Sequence, residues 1–299
     1  WSAVARTGLH PVVSRVGQHC EVRVSHLALG PTYDDDATGD QEDGGERSRG
    51  VDAARRSQAR GSAHGLLDEA GGGVRKQQGA EYSDEVLDAN RRSNNEEVHR
   101  LIDISNTFDD IVFIVSVGNE ASVEWTDHMV PVENLVEYVR DVKKSIKQPV
   151  TFCENYVPWT YKLEPLAEEL DFIAVHTYPA WEYRSIHDAL EFTKQNYHSV
   201  VDHYPGKPVI ITEAGWTTAA NGRGIDPHNA SEELPASYYQ QLLDWTTEEK
   251  ILTFVFEAFD ETWKGSPDPM EPEKHWGLFN IEREPKLVMR DLYAELVPD

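Results

Sequence analysis

Long apolar runs are missing from this chain, whose apolar stretches are all strand-sized, so no transmembrane helix and no membrane insertion is expected. Positive charge is scarce: 28 Lys and Arg face 53 Asp and Glu, a formal net charge of −25. A chain this acidic repels phosphates, which argues against nucleic acid and anionic lipid as partners and leaves neutral molecules open. Cysteine is nearly absent. Cys20 and Cys153 make neither a disulfide framework nor a zinc site, and Cys153, inside an expected strand, reads as a buried free thiol. There is no metalloprotease motif, P-loop or dinucleotide fingerprint, so neither a cofactor nor a metal is expected. Asp34-Asp35-Asp36 lacks ligand spacing and reads as a solvated run. No charged-then-apolar leader opens the chain, which starts on Trp1.

The first 80 residues are poor in what a core needs. They contain no Ile, Phe, Asn or Met, one Lys against nine Arg, and 13 of the 20 glycines. Asp34 to Arg60 is charge, Gly and Ala, a disorder-like composition. Only His19 to Leu29 alternates like a strand, with Val22 and Val24 on alternate positions and Leu27 beyond them. Residues 1–78 are therefore set apart as an atypical segment: a disordered or divergent leader, or a stretch read in the wrong frame. The abrupt change of residue usage near Gly79 favours the second.

From Ser83 onward the pattern is regular. A capped helix start at Ser83 leads into Val98, Leu101, Ile102 and Ile104 at helical spacing. Five strands follow, Ile111–Val117, Pro149–Cys153, Phe172–Val175, Pro208–Ile211 and Ile251–Phe256, with mainly helical crossovers such as Asn134–Ile146, Ser185–Tyr204 and Pro235–Glu248. Pro285–Leu296 reads as a closing helix. Strand and helix in strict alternation mean a parallel sheet with helices outside. The expected fold class is α/β, a (β/α)8 TIM barrel whose strands four to eight lie in 83–299 and whose strands one to three are not recognisable upstream. A doubly wound open sheet is the competitor. Acids at several separate strand ends favour the barrel, because an open sheet gathers its site at one crevice.

Two of those acids stand out. Glu120 follows the run Ile111 to Val117, and Glu213 follows Val209-Ile210-Ile211. They are 93 residues apart, three repeats of about 31, in keeping with βαβ units. That places them on strands four and seven, facing one another across the mouth of a barrel. Cleaving a glycosidic bond needs such a pair, one carboxyl to protonate the leaving oxygen and one to attack or to activate water. Asn119 beside Glu120 is suited to a sugar hydroxyl, and Glu154 ends the intervening strand, where it would tune Glu120, bind a hydroxyl or lie exposed.

Four ordered motifs then carry a resemblance: Val-Gly-Asn-Glu (117–120), His-Thr-Tyr-Pro (176–179), Thr-Glu-Ala-Gly-Trp (212–216), and Phe-Asp-Glu-Thr-Trp-Lys (259–264) followed by Glu-Lys-His-Trp-Gly-Leu-Phe (273–279). Residues 79–299 resemble glycoside hydrolase family 17, the β-1,3-glucanases and related glucanosyltransferases. The resemblance implies a (β/α)8 catalytic region over 79–299 and a retaining mechanism, with Glu120 as acid/base and Glu213 as nucleophile. Glu261 and Lys264 match the family's accessory acid and lysine, and Ala214 stands where the family has Thr.

On that reading a lysine near the pair helps keep the nucleophile ionised, and Glu120 sits in the less polar place. Tyr178 is placed to hydrogen-bond Glu213, and His176 reads as a structural hydrogen-bonder. Trp125, Trp159, Trp181, Trp216, Trp263 and Trp276 fall in or beside strand-end loops, where flat rings suit pyranose faces. Trp181 and Trp216 follow motif residues directly, and they join Trp263 as candidate sugar platforms. The implied partner is a glucan polysaccharide or oligosaccharide, the implied state a monomer, and the substrate class favours a secreted, periplasmic or cell-envelope setting. Transglycosylation and an impaired glucan-binding fragment stay open as alternatives. Asn229-Ala230-Ser231 also fits a glycosylation acceptor, a pattern common by chance.

Overall fold

The computed structural model describes residues 2–5, 27–28, 84–123, 125, 129–292 and 294. Cys20, the Asp34 run, the cap at Ser83, the end of the closing helix and nearly all of the 1–78 segment lie outside them.

Helix α1, Asp84–Thr107, opens the regular part. Among its described side chains the buried ones are Asn94, Glu97, Val98, Leu101 and Ser105, with the serine hydroxyl folded back onto the Leu101 carbonyl. The chain then alternates: β3 Val112–Asn119, α2 Val132–Ser145, β4 Val150–Asn155, α3 Tyr156–Trp159, α4 Glu164–Glu169, β5 Ile173–Thr177, α5 Ile186–His203, β6 Val209–Ala214, α6 Glu233–Glu249, β7 Thr253–Val255 and α7 Leu287–Leu292. Strands β3 to β7 pair in sequence order and all parallel. They make a curled half-barrel with helices alternating outside it, the second half of a TIM barrel. Two segments from the start of the chain, β1 Ser2–Ala5 and β2 Leu27–Ala28, add to its edges antiparallel, β1 on β3 and β2 on β7. They are not the parallel strands one to three of a barrel.

The core lies between sheet and helices. Helix α2 turns Leu135, Val136, Val139 and Val142 onto β3 and β4, and each such side chain contributes about 1.5–3 kcal/mol by leaving water. Trp159, fully buried on the short helix α3, donates its indole N–H to the Ala174 carbonyl of β5 at 3.1 Å. Asn196 of α5 donates to Thr177 Oγ1 at 3.0 Å, which fixes the upper end of β5 against its crossover helix. Helix α6 ends at Lys250, whose left-handed φ of 58° turns the chain into β7.

Four of the strands run beyond the apolar runs that mark them. The hydrogen-bonded ladder takes in Asn119, Glu154, Asn155, His176, Thr177, Glu213 and Ala214. Parallel pairing is made by the backbone, so a polar side chain facing the barrel interior does not end it. These extensions form the floor of the site.

Candidate active site

The ends of β3, β5 and β6 are irregular where the site begins. Register shifts fall between Ser116 and Asn119, between Val175 and His176, and between Ile211 and Ala214. Such bulges re-aim side chains at the rim of a sheet. At β3 the bend needs Gly118, whose φ is +107° and whose missing Cβ would lie 2.6 Å from the Phe152 ring. Glu120 follows with a φ of +47°, a strained conformation for a long side chain, and its amide donates to the Cys153 carbonyl at 2.9 Å. The bend delivers its carboxylate over β5.

On β5, His176 pairs in register with Glu213 of β6. Its Nδ1 lies 3.0 Å from Oε1 of Glu120 and 3.5 Å from Oε2 of Glu213, and its side chain is fully buried. One donor atom from each of these three residues lies within 4.8 Å of the other two. The Tyr178 hydroxyl donates to Oε2 of Glu213. Glu120, His176 and Glu213 are the cluster among the described residues compact enough to hold a metal ion, and the converging atoms already serve one another as hydrogen-bond partners.

Burial of the two acids reverses the expectation that Glu120 sits in the less polar place. The Glu120 side chain is 24% exposed and that of Glu213 is 5% exposed. The cation beside the pair is also different. Lys264 Nζ is held by both oxygens of Glu257, at 2.6 and 2.7 Å, and by Glu261 at 2.9 Å. The charged group in contact with both acids is His176. Burial works against its proton, but Glu213, Cys153 and Glu120 outweigh burial and hold the imidazole well above the ordinary histidine range.

Glu154 is wholly buried, which removes the exposed reading of it. Its Oε2 accepts from the amide and hydroxyl of Ser122, at 2.9 and 2.6 Å, and its Oε1 from the Asn155 amide at 2.8 Å. Burial, aided by the Glu120 charge, pushes it up to about 7 against the pull of those donors. Glu257 escaped the sequence reading. The signal was present, an acid directly after the apolar run Ile251–Phe256, but no motif drew attention to it.

The aromatic candidates divide by burial. Trp216 is fully buried, with its N–H on the Asn229 carbonyl at 2.9 Å and its ring against Tyr238, so it is a core residue and offers no face to a sugar. Trp159 and Trp276 are core as well. Trp276 packs edge-on to Tyr178 at 5.2 Å and lies 6.1 Å from Trp181, so this aromatic wall supports the Tyr178 hydroxyl. Trp181 is half-buried, while Trp263 and Trp125 are exposed. Asn119 closes β3 half-buried, level with Cys153 of β4. The Thr-Glu-Ala-Gly-Trp motif thus has a packing logic. Ala214 is buried, Gly215 admits the Phe256 carbonyl to 2.4 Å of where a Cβ would be, and Trp216 anchors the turn.

No helix among the described residues is long and apolar enough to cross a membrane. The BtgE/BtgC glycoside hydrolase domain matches residues 76–277. A putative glucan endo-1,3-beta-glucosidase, btgC, of Aspergillus niger is 29% identical over 227 residues, covering 66% of this chain and 32% of that protein. A probable beta-glucosidase, btgE, of Aspergillus clavatus is 28% identical over 56% of this chain and 29% of its own length. The chain thus spans about a third of the length of these curated relatives. Among solved structures, an endo-laminarinase from Formosa superposes with a TM-score of 0.61 at 26% identity, over 67% of this chain and 63% of that one. A glycoside hydrolase family 17 beta-1,3-glucanosyltransferase from Rhizomucor miehei gives 0.55 at 28% identity, over 66% and 71%. The matched region takes in both strand-end glutamates and the histidine between them, and the chain belongs to the BtgE/BtgC glycoside hydrolase domain family.

Proposed function

We propose that the chain is a retaining hydrolase of β-1,3-glucan within glycoside hydrolase family 17, working through a covalent glycosyl-enzyme. The observation that carries this is the spacing of the acids, with an oxygen of Glu120 and one of Glu213 inside 4.8 Å. Retaining enzymes hold their carboxyls about 5–5.5 Å apart, whereas inverting ones keep about 6.5–9.5 Å to admit a water.

Glu213 attacks the anomeric carbon while Glu120 gives its proton to the departing glycosidic oxygen, leaving a glycosyl ester on Glu213. Glu120, now a carboxylate, takes a proton from water, whose oxygen displaces Glu213 and restores both groups. Tyr178 steadies the attacking carboxylate through its hydroxyl. Asn119, Trp181, Trp263 and Glu261 are assigned to sugar binding at the rim, with Glu154 and His176 supporting, while Lys264, first expected among the sugar binders, is buried against Glu257 and holds Glu261 from beneath. A second reading, transfer to a sugar hydroxyl in place of water, is favoured by the Rhizomucor neighbour, itself a glucanosyltransferase. Residues 79–299 are assigned as the catalytic region, with 1–78 a segment apart.

The test is turnover of laminarin by the purified chain and by Glu213→Ala. The variant is expected to lose about three orders of magnitude or more in kcat, and azide, standing in for the missing nucleophile, to restore part of it. Proton NMR of fresh product should show the β anomer first. Undiminished activity in the variant, or α anomer as first product, rejects the assignment.

A further inference from the structure

We infer that His176 is a positioning residue that binds the two carboxylates into one unit, a single ring nitrogen being shared between them. Four observations carry this. The ring lies on the central strand of the site and is fully buried, so no water competes for it. The same Nδ1 faces both acids, 3.0 Å from Glu120 and 3.5 Å from Glu213. The register shift between Val175 and His176, just where β5 meets β6, sets where the ring points. Its Nε2 has no oxygen or nitrogen partner, so the ring is not anchored from behind by a carbonyl or carboxylate as a purely structural histidine would be.

The titratable groups at the ring are Glu120 just past the end of β3, Cys153 on β4 and Glu213 on β6, with Tyr178, just past the end of β5, held on Glu213 beside them. Two of the four are carboxylates at hydrogen-bond range, and the imidazole answers them as a cation.

The chemistry gives this placement a purpose. In the first step of the proposed reaction Glu213 loses its charge to the glycosyl ester as Glu120 gains one by releasing its proton. In the second step the charge returns. A cation touching only one acid would favour one half of the cycle and oppose the other. His176 touches both, so its attraction follows the charge without the ring having to move, the kind of fixed electrostatics that needs no reorganisation during reaction. Glu154 breaks the symmetry, because its buried carboxyl couples to Glu120.

The activity arm of the test rests on the function proposed above, and the spectroscopic arm does not. The full chain, labelled with 13C on histidine rings, is titrated by NMR alongside Glu120→Gln and Glu213→Gln. His176 is the resonance that both substitutions displace and that His176→Asn removes. It should stay protonated through pH 7 in the unsubstituted chain, and its midpoint should fall by about one unit or more in each glutamine variant. In the second arm, kcat/KM of His176→Asn against pH should drop about tenfold to a hundredfold, mostly in kcat, with both limbs of the profile moved to higher pH. An imidazole whose midpoint ignores both glutamine variants overturns the proposal, as does a profile lowered without moving. If His176→Asn does not fold, the two glutamine variants decide alone. If Glu213→Ala keeps its activity, the function fails while the titration still reads the coupling.

Discussion

Gly118 shows what a single position contributes here. Its φ of +107° is closed to residues with a side chain, and a Cβ there would meet Phe152 at 2.6 Å, so alanine is excluded on two independent grounds. The bend it permits carries Glu120 over β5. Gly118→Ala is expected to cost about 2–3 kcal/mol in urea unfolding and to lower activity more than that loss of stability explains, since Glu120 is displaced. A cost below about 0.5 kcal/mol would mean the bend does not depend on glycine. At this scale the acids were legible in the sequence, because a carboxylate following an apolar run is unusual chemistry for a strand. Burial was not. Trp216 follows a motif residue and yet lies in the core, and Glu257 met the same strand-end criterion as Glu154 without belonging to a recognised pattern.

At the scale of the element, the β strands could be read because buried parallel strands are continuous apolar runs, and all five expected ones formed. The ends of the first four were set too early, since the backbone ladder carries on under polar side chains, while β7 stops at Val255, one residue short of its expected end. Helix α6 starts before Pro235 instead of at it, and the single-turn helix α3 left no periodic trace to find. The loop after β7 depends on an interaction no periodicity reveals. Lys264 and Glu257, 7% and 4% exposed, form a buried ion pair with Glu261 at its edge. Lys264→Met strands a carboxylate in a dry place and should destabilise the protein by about 3–5 kcal/mol. Adding Glu257→Gln should recover most of the loss, because the charge that lacked a partner is gone. Equal destabilisation in single and double variants, measured by urea unfolding, would show that the lysine matters for its packing instead.

For the whole molecule, the acids and the histidine of the site make stability a function of pH. Glu154 titrates at about 7 in the folded protein against 4.5 for an unperturbed glutamate. Between those values the folded state keeps a proton that the unfolded chain has released, so stability falls as pH rises, by up to about 3 kcal/mol. His176 has the same sign by the opposite route. Its folded value is raised, so its contribution is complete below the unfolded value and disappears as pH climbs through the folded one. A net charge of −25 adds repulsion that protonation relieves. The carboxylates of Glu169 and Asp268, lowered by Arg140 and by the Met270 amide, act the other way, but their contribution is lost only as pH falls below the usual carboxylate range. The melting temperature should therefore peak near pH 5 and decline by about 5 °C or more toward pH 8. Glu154→Gln isolates the largest part. It should flatten the decline while lowering stability at every pH, because its amide nitrogen cannot accept from the Ser122 or Asn155 N–H groups. A melting temperature that rises between pH 5 and pH 8, or a variant with an unchanged slope, would place the pH dependence elsewhere than in this buried carboxyl.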